Sequence, residues 1–197
     1  MRTKVFDNNF TPDFLVKLYI ASVQIPWEYT NTSNRVTYPH KSKLSVGNLP
    51  FFFGNRLFNK ENSLRVTNCE VDDVFWEVLE HFCFNLYTEE NLELIAIDAN
   101  LQLQGMDGDW HSDVFTEPDD GSNRTIMFYP MYEWFDDWGG ELEIQNEDGN
   151  ISRLLPKPGR FIYFDSKKLH RGLAPTVPNK PRMSIAFRMR VIDWHFG

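Results

Sequence analysis

Apolar positions recur along this chain with two different periods, and the change falls near residue 94. Upstream, Thr11-Pro12-Asp13 supplies a capping side chain, a proline suited to the first helical position and an acid that favours a helix N-terminus. Phe14, Leu15, Leu18 and Tyr19 follow at helical spacing, so a short helix is predicted there. From Asp72 to Tyr87 the residues Val74, Phe75, Val78, Leu79, Phe82 and Leu86 share one face, which predicts a core-facing helix. His81 among them reads as a satisfied or helix-surface histidine. Beyond residue 94 the period is two: Ile95, Ile97, Ala99, Leu101 and Leu103 alternate with Ala96, Asp98, Asn100, Gln102 and Gln104. That predicts a strand with its apolar face on the core and its polar face toward water.

Further strands are predicted at 124–129, 141–146, 151–155, 160–165 and 182–191, each bounded by Gly, Pro, Asn or Asp. Many short strands preceded by helical signals predict a mainly β fold with flanking helices (α+β). The architecture expected is a jelly-roll barrel, a double-stranded β-helix, buttressed by N-terminal helices. One domain over residues 1–197 is expected, with 1–93 a helical and loop support region and 94–197 the barrel core. At 197 residues, 42% hydrophobic, the chain is large enough for a sizeable core.

The net charge of −8 argues against a general nucleic-acid binder, because phosphate neutralisation needs a basic surface. Against that acidic background, Trp27 to Lys60 is loop-rich and locally basic: a rim attracting an acidic substrate, or a loop balancing nearby carboxylates. Cys69 and Cys83 lack CxxC spacing, the first twenty residues lack a leader pattern, and no apolar run is long enough to span a membrane. A soluble, reduced, intracellular protein of the cytoplasm is expected. Nothing in the pattern specifies an oligomeric state.

The candidate chemistry centres on Trp110-His111-Ser112-Asp113 and on His170. On an extended segment, residues two apart project to the same side, so His111 and Asp113 can grip one ion. His170, from a distant strand, would complete a two-histidine, one-carboxylate face with open positions, the geometry of non-haem Fe(II) oxygen chemistry. An ordered set of signals follows: Tyr129, Trp138-Gly-Gly-Glu-Leu142, Pro158-Gly-Arg160, Phe164-Asp-Ser166, His170 and Arg182-Met-Ser184. Over residues 94 to 190 the chain thereby resembles the 2-oxoglutarate- and Fe(II)-dependent dioxygenases, in particular their prolyl-4-hydroxylase-like branch.

The resemblance implies Fe(II) on His111, Asp113 and His170 as the catalytic centre. It also implies 2-oxoglutarate as co-substrate and O2 as oxidant, and allows ascorbate as a reductant. The far carboxylate of 2-oxoglutarate calls for a fixed cation, best an arginine. Arg182, Ser184, Ala186 and Arg188 share one face of the last strand. The family's Arg-x-Ser implies Arg182 for the carboxylate and Ser184 for a hydrogen bond, with Arg188 the rival. Tyr129 is either a hydroxyl for the same carboxylate or a core aromatic. Where many prolyl hydroxylases carry a tyrosine facing 2-oxoglutarate, this chain has Asn100, Leu101 and Gln102, and Asn100 stands as the candidate. Gly139 and Gly140 read as a permissive turn.

The implied reaction is hydroxylation of an unactivated C–H bond coupled to decarboxylation of 2-oxoglutarate to succinate and CO2. Asp113 argues against halogenation, where a small residue replaces the carboxylate. A non-catalytic, cupin-like metal- or ligand-binding jelly roll is the alternative; a zinc hydrolase would lack an evident base. Substrate candidates are a protein or peptide side chain and a small molecule. Tyr129 to Trp138, aromatic and acidic, and Thr116 to Asn123 read as substrate lids or as barrel caps.

Overall fold

The computed structural model describes residues 1–31, 52–61, 64–65, 69–114 and 120–192. Eleven strands are assigned there: β1 (Lys4–Phe6), β2 (Glu28–Asn31), β3 (Phe52–Asn59), β4 (Leu64–Arg65), β5 (Leu92–Gln102), β6 (Asn123–Phe128), β7 (Leu142–Gln145), β8 (Ile151–Leu154), β9 (Phe161–Asp165), β10 (His170–Gly172) and β11 (Arg182–Val191). Helix α1 spans Pro12–Val23, and α2 spans Cys69–His81 and runs into one π-helical turn, Phe82–Leu86. Eight strands form a sheet in the order β1-β9-β6-β11-β5-β3-β2, with β4 beside β3, and β10-β7-β8 form a second sheet. All pairings are antiparallel, as expected of a jelly roll.

The two faces of the large sheet have different neighbours because strand side chains alternate. Ile97, Ala99, Ile126, Phe128, Phe161, Tyr163, Ile185 and Phe187 face Leu18 of α1 and Val74, Phe75, Val78 and Leu79 of α2, in one buried cluster. Met127, Ile162, Phe164 and Ala186 instead pack against Leu142 and Ile144 of the small sheet. The helices therefore buttress one side and the barrel interior lies on the other. Thr11 caps α1 by accepting from the Phe14 N–H at 3.3 Å, as the sequence predicts.

Three expectations change. The hydrophobic pattern predicts no strand before residue 94, yet β1 to β4 all join the large sheet. β1 has three residues and β4 two, too few to show a period, and a bulge between Arg56 and Phe58 breaks the alternation in β3. The segment carrying His111 is not a strand; it makes one isolated bridge to His170. Lastly, the polar face of β5 does not look to water: Ala96 is 4% and Gln102 3% exposed. It lies beside the Arg182 face of the neighbouring strand β11, with Gln102 opposite Arg182, Asn100 opposite Ser184 and Asp98 opposite Ala186.

Of the basic stretch 27–60, residues 32–51 lie outside the described residues. Among those described, Arg56 pairs with Asp98 at 2.7 Å and Lys60 pairs with Glu93, so these two cations balance carboxylates. Residues 116–119 of the polar loop also lie outside the described residues.

Candidate metal centre and anion pocket

His111 and His170 meet through a reciprocal pair of backbone hydrogen bonds, His111 N–H to His170 carbonyl at 3.0 Å and the reverse at 2.9 Å. The Asp113 N–H donates to the Ser166 carbonyl at 2.8 Å, which pins the same segment one step on. One ligand atom from each of His111, Asp113 and His170 then falls within 4.8 Å of the others. The Nε2 of His111 lies 3.8 Å from Asp113 Oδ1, and that of His170 3.4 Å from Oδ2.

Both imidazoles are fixed in the tautomer a metal requires. His111 Nδ1 lies 2.9 Å from the Asp109 carbonyl and His170 Nδ1 2.9 Å from the Lys168 carbonyl, so each Nδ1 is the protonated nitrogen. The Nε2 lone pairs are left for an ion. His170 is 1% exposed, and its Nε2 has no hydrogen-bond partner, a buried polar atom that a metal would satisfy. Phe164 packs edge-on to its ring at 4.9 Å. Burial, with His170 alongside, lowers the His111 pKa to about 4 and keeps it a neutral donor. Burial works against the charge of Asp113, but Arg188 and the contact with His170 outweigh it and hold the carboxyl below its usual range. The donor set is thus two imidazoles with their Nε2 lone pairs free and one carboxylate, which can hold a divalent ion.

Asp113 is itself held. Its Oδ2 accepts from the Thr125 hydroxyl at 3.0 Å, and Thr125 Oγ1 is 2.9 Å from Ser166 Oγ. Thr125 escapes sequence reasoning because only the pairing of β6 with β9 and β11 brings it to the loop. Ser166, in contrast, lies in the Phe-Asp-Ser motif.

Arg182 lies in a separate buried polar cluster and is 2% exposed. Its Nε donates to the Gly140 carbonyl and its Nη1 to Gln102 Oε1, both at 2.7 Å. Nη1 also reaches Ser184 Oγ at 3.4 Å and Nη2 reaches the Tyr129 hydroxyl at 3.2 Å. All these partners are neutral. Among the described residues, no carboxylate stands within ion-pair distance of Arg182, an unusual state for a buried guanidinium. Arg188 by contrast already faces two carboxylates, Asp98 and Asp113.

Ser184 Oγ, the Tyr129 hydroxyl and Gln102 Oε1 thus gather around Arg182, whereas Asn100 lies opposite Ser184 in the pairing of β5 with β11. Gly140 and Gly172 let backbone reach the guanidinium. A Cβ on Gly140 would sit 3.2 Å from Arg182 Cδ, and one on Gly172 3.1 Å from Nη1. In the segment 129–138, Tyr129, Met131 and Trp134 are buried, with Trp134 against Gly140 at this end of the barrel, while Tyr132 and Phe135 are half-exposed.

Residues 99–190 match the family model of the 2OG-Fe(II) oxygenase superfamily. Sequence match and fold thus agree over this part of the chain. The matched span contains every candidate residue discussed above and leaves the helices outside it. No curated protein matches the chain. A prolyl-4-hydroxylase from Pseudomonas putida shares its fold with a TM-score of 0.62 at 12% identity, covering 97% of this chain and 93% of that one. A 2OG-Fe(II) oxygenase family oxidoreductase from Burkholderia pseudomallei gives 0.70 at 14% identity, covering 95% and 84%. A prolyl hydroxylase from Trichoplax adhaerens, solved with a hypoxia-inducible factor peptide fragment, gives 0.66 at 14%, covering 96% and 83%. The matched family model implies Fe(II), 2-oxoglutarate and O2, and the His-Asp-His cluster suits the metal. No helix among the described residues is long and apolar enough to cross a membrane.

Proposed function

We propose that the chain is a 2-oxoglutarate-dependent Fe(II) dioxygenase hydroxylating an unactivated C–H bond, acting as one domain in which residues 1–93 support a catalytic core at 94–197. The observation that carries this reading is the pairing of two incomplete sites. One is a largely buried donor triad with an orphaned Nε2, and the other a buried arginine with no acid beside it among the described residues. A dianionic co-substrate chelating the metal at one end completes both.

Fe(II) and 2-oxoglutarate, when bound, supply the O2 activation that yields succinate, CO2 and an oxidised substrate. The protein's part is placement. His111, Asp113 and His170 would hold the metal. Arg182 receives the far carboxylate, with Ser184 and Tyr129 turning hydroxyls to the same pocket and Gln102 holding the guanidinium. Gly172 abuts Arg182 and lies two residues from His170 on β10, a span of roughly 7 Å. That span is comparable to the length of a short dicarboxylate. A metal-binding module without catalysis would gain nothing from burying Arg182 unpaired.

The substrate is a protein or peptide side chain or a small molecule; the peptide held by the Trichoplax relative favours testing the former first. Incubating the Fe(II)-loaded protein with 2-oxoglutarate, O2 and panels of proline-containing peptides, free amino acids and small acids is expected to give substrate-stimulated succinate release. A protein that binds both Fe(II) and 2-oxoglutarate yet forms no succinate with or without any panel member would contradict the enzymatic reading.

A further inference from the structure

A row of alternating charges crosses three strands and ends on the candidate metal ligand Asp113. Arg56 on β3 contacts Asp98 on β5 through two bonds, Nε to Oδ1 at 2.7 Å and Nη2 to Oδ2 at 3.3 Å. Asp98 Oδ2 lies 2.8 Å from Arg188 Nε on β11, although the N–H points off the oxygen, so this is an ion pair and not a hydrogen bond. Arg188 Nη2 in turn stands 3.4 Å from Asp113 Oδ1. Arg182, on the same face of β11, belongs to no such row.

We propose that Arg188 is a positioning residue that orients the Asp113 carboxylate for metal binding, held in place by Asp98 and Arg56; this rests on the metal site proposed above. The need arises because Asp113 lies outside any strand, its backbone N–H tied to the Ser166 carbonyl. Its side chain must be set by contacts, and they are divided between its oxygens: Thr125 donates to Oδ2, and Arg188 faces Oδ1. With Oδ2 held by Thr125 and Oδ1 faced by Arg188, the Asp113 carboxylate is fixed in rotation and would present one set face to the metal. A lone arginine beside the site would repel a divalent cation. Asp98 offsets that charge, and Arg56 keeps Asp98 aimed at Arg188. Groups that orient a ligand in this way change metal affinity and ligand field even though they never touch the ion.

Cobalt(II) is the probe, because its visible spectrum reports coordination geometry without turnover. Arg188→Ala is expected to weaken Co(II) binding by about 10–100-fold and to alter the spectrum at saturating metal. Arg188→Lys should recover part of the affinity, since an ammonium keeps the charge but cannot face both carboxylates as a planar fork does. Asp98→Asn, nearly isosteric and so a safeguard should Arg188→Ala not fold, is expected to shift spectrum and affinity in the same direction. Wild-type spectrum and affinity in folded Arg188→Ala and Asp98→Asn would overturn the proposal. So would Arg188→Ala losing 2-oxoglutarate while its Co(II) spectrum stays unchanged. If the wild type bound no Co(II), or bound it equally well after His170→Ala, the metal site itself would fall, an outcome distinct from both.

Discussion

His170→Ala is expected to release bound iron and abolish turnover, and His111→Ala to do the same. Groups around a metal that only orient its ligands already contribute 10–100-fold to affinity, so loss of a ligand should exceed about 100-fold. His170 is the stronger test because its Nε2 is buried and, among the described residues, has no hydrogen-bond partner, with only the fellow candidate ligand Asp113 near it. Removing it should spare stability compared with removing a core aromatic such as Phe164, which lies against its ring. Asp113→Gly is expected to damage hydroxylation more than folding, since water or a halide can fill the vacated position. Metal content after anaerobic purification and succinate release report the two effects separately. Wild-type iron content and activity in either histidine variant would remove the triad from the account.

Arg182→Ala is expected to raise the 2-oxoglutarate requirement at least a hundred-fold while leaving metal binding nearly intact. Stripping one partner from a buried ion pair costs about 3–5 kcal/mol, and each 1.4 kcal/mol is tenfold. Without the co-substrate, Arg182 has only neutral partners, so the variant removes the cation and leaves Gln102, Ser184 and Tyr129 with hydrogen bonds to remake. Arg182→Lys should recover only part, because it cannot reach Gly140, Gln102 and Tyr129 together as a planar fork does. At saturating metal, Arg188→Ala should leave the 2-oxoglutarate dependence nearly unchanged, since its charge is already turned toward Asp98 and Asp113. Titrations in which Arg188 dominates and Arg182 is silent would move the pocket to the other end of β11.

Local signals foretell local features. Thr11-Pro12-Asp13 announces α1, the one-sided pattern of Val74 to Phe82 announces α2, and Arg182 to Arg188 align on one face of β11 as alternation requires. What escapes the sequence depends on partners distant along the chain. β1 and β10 have three residues each and exist by pairing with β9 and β7. The polar face of β5 shows the same alternation whether it meets water or a cavity. Only its register against β11 reveals that Gln102 sits on Arg182 and that Asp98 meets Arg188. In the same way, His-x-Asp offers the two candidate ligands, whereas Thr125, twelve residues on, and Arg188, on the last strand, come to Asp113 only through folding.

The most direct test of the central claim is calorimetric titration of 2-oxoglutarate under anaerobic conditions into three samples: the Fe(II)-loaded protein, the metal-free protein and Fe(II)-loaded Arg182→Ala. Two sites completed by one dianion predict one-to-one binding to the first, clear weakening without metal, and loss of at least a hundred-fold in affinity without the arginine. Absence of 2-oxoglutarate binding by the Fe(II)-loaded protein, or binding that ignores both the metal and Arg182, would contradict it.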